Sequence, residues 1–132
     1  MLMVKTRLGL SDIAGIGLFA DQDIPKGTVT WRFMADFDRQ LTKGEIDRLP
    51  EPARSNLLDH TYLDATSGLF VLCADNARFM NHADEPNTAG VHEPGAIEGY
   101  DVAIRDILAG EEMTCDYRTF DAHVDLKLGG GQ

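Results

Sequence analysis

Disulfide scaffolding is excluded at the outset, because the 132-residue chain holds only two cysteines, Cys73 and Cys115. Neither stands in a zinc-ligand spacing, so no metal is expected and a reducing, intracellular setting is the expected compartment. Basic charge is also scarce. Twelve Lys and Arg face 22 Asp and Glu, a formal net charge of −10. Such a surface repels phosphate backbones, which argues against direct nucleic-acid binding. A basic protein or peptide is the easier partner, although solubility alone also accounts for the charge. No apolar run approaches the length of a membrane span, and the opening MLMVKTRLGLSD becomes charged too early for a secretory signal. A cytoplasmic protein without a membrane contact is therefore expected. Internal repeats are absent. What the chain does have is 43% hydrophobic residues, enough at this length to bury one core.

Short strands dominate the pattern. Leu2, Val4, Thr6 and Leu8 alternate with Met3, Lys5 and Arg7, which predicts a half-buried strand. Gly17–Ala20 reads as a second, and Val29, Trp31 and Phe33 mark a third after the turn Ile24-Pro25-Lys26-Gly27. Helices are confined to about 41–60. Thr42-Lys43-Gly44-Glu45 fits a capping box, with Ile46 and Leu49 facing inward and Pro50 as the stop. A second helix begins near Pro52, with Ala53, Leu57 and Leu58 as its apolar face. Strands return at Leu69–Cys73, Thr88–Val91, Tyr100–Ile104 and Met113–Tyr117. The fold class is mostly β with short helices, not a repeating βαβ array.

The stretch AGIGLFADQDIPKGT contains Gly15-x-Gly17-x-x-Ala20, the written form of a dinucleotide fingerprint. That fingerprint needs a helix opening at its third position to carry a pyrophosphate. Pro25 and Gly27 leave room for barely one turn, so a Rossmann site is rejected. A glycine-flanked turn between two strands remains.

Two further stretches stand out. ARFMNHADEPNT places Asn81 and His82 directly after apolar Phe79-Met80 and before the Pro86-Asn87 turn. His82, Asp84 and His92 offer a metal site, but without compact ligand spacing. RDILAGEEMTCDYRTF turns at Ala109-Gly110 and ends a strand in Asp116-Tyr117. Taken singly, a satisfied histidine and a packed tyrosine explain both.

Taken in order, the three stretches resemble the SET-domain protein-lysine methyltransferases. Gly15–Ala20 with Lys26-Gly27-Thr28 matches the family's glycine turn and following "GT" turn. Arg78–Asn87 matches its R-F-[IM]-N-H-S-C-x-P-N, and Gly110–Tyr117 its G-E-E-[LI]-T-x-D-Y. The resemblance runs from about Val4 to Phe120. It implies a single SET-type catalytic domain over 1–126, built of several small curved sheets around a knot-like crossing of Arg78–His82 with the segment ending at Tyr117. Residues 127–132 read as a flexible tail. Two departures are evident. Ala83-Asp84 replaces the family's Ser-Cys, and no cysteine follows Tyr117, so the zinc segment that closes the lysine channel in many members is missing.

The resemblance implies S-adenosylmethionine as cofactor, with S-adenosylhomocysteine as product, and a lysine-containing, basic protein as substrate. Gly15, Ile16, Gly17, Arg78, Phe79, Asn81, His82 and Tyr117 are then the expected cofactor-binding residues. Tyr117 is the expected catalytic residue. Tyr62, Cys115 and Phe120 are expected to line the lysine channel, Tyr62 on the looser match. Cys115, two before the tyrosine, is smaller than the family's usual Phe or Tyr, which implies room for di- or trimethylation. The alternative is a catalytically weak or inactive module that retains cofactor or basic-peptide binding. A homodimer, with a neighbour completing the channel, is a further expectation.

Overall fold

The computed structural model describes residues 1–64, 67–94, 99–119 and 121. Ten short strands and two short α-helices form small sheets among them. Strands β1 (Thr6–Leu10) and β2 (Ile16–Ala20) make an antiparallel hairpin with Gly9 opposite Gly17. The first strand therefore starts later than the alternation predicts. Leu2 contributes only a bridge to Trp31, made by Met3 N–H to Thr30 O and Arg32 N–H to Met1 O.

Strand β3 (Val29–Arg32) belongs to a three-stranded sheet with β8 (Thr88–Val91) and β9 (Tyr100–Ala103), in the order β3-β9-β8. A register shift between Val29 and Trp31 breaks the simple alternation, so Thr30 and Trp31 are both buried. The predicted helices α1 (Lys43–Asp47) and α2 (Ala53–His60) are present. Thr42 and Glu45 form the expected reciprocal capping box. Leu58, expected on the inner face of α2, is instead exposed, and only Leu57 packs on the local core. Helix α2 buries no residue fully. The strand expected at Leu69–Cys73 is present as β6 (Phe70–Leu72), and two strands unseen in the sequence, β4 (Arg39–Leu41) and β5 (Thr61–Leu63), flank it.

No crossover helix follows Ala20. The chain turns at once to pair Ile24 with Ile107, which removes the dinucleotide reading by geometry. The main core gathers Leu18, Ala20, Ile24, Met80, Ile107 and Met113. All three motif segments contribute to it, so burying this core draws them together. Beside it, β7 (Asn81–His82) runs parallel to β10 (Thr114–Cys115). Those are the segments expected to cross. Among the described residues no helix is long and apolar enough to cross a membrane.

Candidate active site

The parallel pair β7 and β10 positions Tyr117. A short 3-10 turn, Tyr117–Thr119, follows β10 and directs the ring back across β7. The Tyr117 hydroxyl donates to Met80 O at 2.6 Å, and its backbone N–H donates to His82 Nδ1 at 3.1 Å. Burial, reinforced by the charges of Asp121 and Glu112 and by Cys115, pushes the phenol well above its ordinary value. The hydroxyl stays protonated and donates to Met80 O. Asn87 ties the second motif to the third. Its Oδ1 accepts from Thr114 N and its Nδ2 donates to Glu112 O, each at 2.8 Å.

The glycine turn is held by a polar cluster around Glu112. Ser11 Oγ donates to the Glu112 carboxylate at 2.8 Å and accepts from Ile13 N–H at 2.9 Å. Asn81 Nδ2 reaches Ser11 Oγ, Ala14 O, Ile16 O and Glu112 Oε2, at 3.0 to 3.4 Å. The two glycines are needed for different reasons. Gly15 takes φ +47° with open space where a side chain would start. Gly17 would place a Cβ only 2.4 Å from Glu112 Oε2. Its small size makes room for the carboxylate that links the hairpin to Asn81.

His82 is nearly buried between two acids. Because Nδ1 accepts from the Tyr117 amide, the neutral ring carries its proton on Nε2, 3.1 Å from Asp84 Oδ1. Asp116 Oδ1 lies 3.5 Å from Nδ1, and Arg118 bridges Asp84 and Asp116. Hydrogen bonding from Arg118 lowers the Asp116 pKa. Asp84, one of the departures from the family pattern, thus occupies a side of His82. Among the described residues no three His, Cys, Asp or Glu side chains group as metal donors.

On the other side of Tyr117 lies a cavity of about 310 Å³. Tyr62, Arg78, Met80, Cys115 and Tyr117 line it. The expected channel residues Tyr62 and Cys115 are thus brought to Tyr117. Gly15, Ile16, Gly17, Asn81 and His82 assemble separately, along the hairpin and β7. Phe79 is half-buried and packs edge-on against His60, with ring centres 5.2 Å apart. Met80, not Phe79, is the residue that enters the core. Phe120 lies outside the described residues, as do residues 122–132. Sequence reasoning did not single out Ser11, Glu112 or Met80, although Glu112 and Met80 sit inside the quoted motifs.

Small β-sheets, a parallel pairing of two distant motif segments and a tyrosine at the wall of a cavity together define the site. The SET domain family model matches residues 15–118. The chain belongs to the SET-domain family. Its fold resembles Chaetomium thermophilum Polycomb Repressive Complex 2 bound to GSK126, with a TM-score of 0.67 and 24% identity over 96% of this chain and 17% of that one. It also resembles PFL0690c of Plasmodium falciparum, described as a candidate histone methyltransferase, with a TM-score of 0.58 and 20% identity over 88% of this chain and 95% of that one. The chain thus spans about a sixth of the Polycomb chain it matches. No curated protein sequence matches it.

Proposed function

We propose that this chain transfers a methyl group from S-adenosylmethionine to the side-chain amine of a lysine in a basic protein. The observation that carries this reading is the Tyr117 hydroxyl, fixed on Met80 O at the wall of a cavity shared with Tyr62 and Cys115. The residues present fit the cofactor. Arg78 has no hydrogen bond or ion pair among the described residues. Its guanidinium lies only over the Phe79 ring, 5.3 Å from the centre, and is open to a ligand carboxylate. Gly15, Asn81 and His82, along the hairpin and β7, are the other groups assigned to the cofactor. When bound, the cofactor supplies an electrophilic methyl on a sulfonium sulfur.

The chain's own task is alignment and dehydration. A free lysine has a pKa of about 10.4, so its amine is charged at neutral pH. Apolar walls such as Met80 and Cys115 disfavour that charge and favour the nucleophilic neutral amine. Tyr117, held neutral by burial, presents a fixed hydroxyl at the same wall. Cys115 is buried there with its Sγ 3.9 Å from Asn81 O, and its small volume leaves room for a methylated amine to turn and react again.

The test is calorimetry with S-adenosylmethionine, followed by incubation with mixed basic proteins and mass spectrometry of the products. Expected are cofactor binding and di- or trimethyl-lysine. Products that stop at one methyl remove the role given to Cys115. Binding without transfer to any lysine supports the non-catalytic module.

A further inference from the structure

The cavity extends past Tyr117 to the face of the β3-β9-β8 sheet. There the register aligns three residues across the strands: Trp31 pairs with Asp101, and Asp101 with Gly90. All three line the cavity. The Asp101 carboxylate has no hydrogen bond or ion pair among the described residues. Trp31 is only 6% exposed, and its indole N–H lacks a partner among them. Gly90 leaves the carboxylate uncovered, because even a Cβ there would lie 3.5 Å from Asp101 Oδ1. A half-buried carboxylate and a buried indole N–H thus stand without a hydrogen-bond partner among the described residues, on adjacent strands. Unpaired groups of this kind are costly to keep in a fold, and a ligand can satisfy them.

Among the described residues no cation of the chain pairs with this carboxylate. Arg32 stacks on Tyr100, 4.7 Å from its ring centre, and the Met1 amino group is held by Asp38 at 2.8 Å. We propose that Trp31, Gly90 and Asp101 form a specificity subsite for a second cationic side chain of the polypeptide substrate, near the lysine that meets Tyr117. The cation pairs with the Asp101 carboxylate, and the indole N–H donates to a carbonyl oxygen of the same peptide. This assignment rests on the reading that the cavity receives a basic polypeptide. The titratable groups facing Asp101 are His92, Cys73 and the Met1 amine. Burial raises the Asp101 carboxyl to about 6, against the opposing pull of the Met1 amine and His92, so it is ionised above that pH.

The test uses lysine peptides that differ only in carrying arginine or glutamine at each neighbouring position. Binding is followed by the emission of Trp31, the only tryptophan in the chain. At one position arginine is expected to bind at least tenfold tighter than glutamine at pH 7.5, with the preference fading as pH falls through about 6. Asp101→Asn is expected to reduce the preference to under twofold. Gly90→Ala, whose added methyl sits at ordinary contact distance, is expected to weaken only the arginine peptide. Absence of binding or of any preference overturns the subsite, and so does a preference that survives Asp101→Asn. Asp101-dependent preference without methyl transfer keeps the subsite and overturns the transferase. Transfer without preference does the reverse.

Discussion

Tyr117 is tied to both neighbours of Asn81. Its hydroxyl holds Met80 O and its amide holds His82 Nδ1. Tyr117→Phe removes the first bond and keeps the second, along with the ring. The Met80 carbonyl then loses a donor in a buried place, at a cost of about 1–3 kcal/mol in stability. The hydroxyl proton is committed to Met80 O, so it is the oxygen's lone pairs that face the cavity, and loss of such a positioning group at a reacting centre lowers rates by about 100-fold. The expected outcome is thus a folded variant with methyl transfer reduced to that degree and cofactor affinity within a few-fold of the parent. Radiolabel transfer and calorimetry measure the two quantities. Transfer at the parental rate would show that the hydroxyl has only a structural task.

Among the elements, the hairpin and β7 are coupled through one carboxylate. Glu112 accepts from Ser11 and Asn81, and Gly17 leaves the space it occupies. Gly17→Ala forces Glu112 to move and breaks those bonds, with an expected loss of about 1–3 kcal/mol. After Glu112→Ala the same glycine substitution meets only Ser11 Cβ, 3.0 Å away, and no longer the carboxylate at 2.4 Å. A double-mutant cycle by urea unfolding is therefore expected to be strongly non-additive, and additive losses would mean that Gly17 answers to some other constraint. This coupling also shows the limit of the sequence. The capping box at Thr42 and Glu45 was legible because both partners are local, and α1 is found where it predicts. So was the gathering of Tyr62 and Cys115 at Tyr117, through the resemblance. Local pattern is silent on β4 and β5, three residues each, since only pairing with β6 makes them strands. The Ser11–Glu112 bond spans 101 residues, and nothing near either residue announces the other. The start of the first strand was misread for a related reason. Leu2 and Val4 alternate correctly, but they pack on the core outside the hairpin.

For the molecule as a whole, the Asp101 carboxylate is a stability cost that varies with pH. Its ordinary value is 3.8, and burial raises it to about 6 in the folded chain. Between those values the folded state holds more protons than the unfolded state, so stability falls as pH rises from about 4 to 6 and stays reduced above. A shift of that size corresponds to at most about 3 kcal/mol. Asp101→Asn keeps the shape without the charge. It is expected to be more stable than the parent at pH 7.5 by up to about 3 kcal/mol, with the advantage shrinking toward pH 4. Urea unfolding at the two pH values measures it. An equal effect of the substitution at both would show that the carboxylate carries no buried charge. A pH-dependent gain would instead mean that the fold keeps a destabilising carboxylate at the floor of its cavity, where a cationic ligand is the group that offsets it.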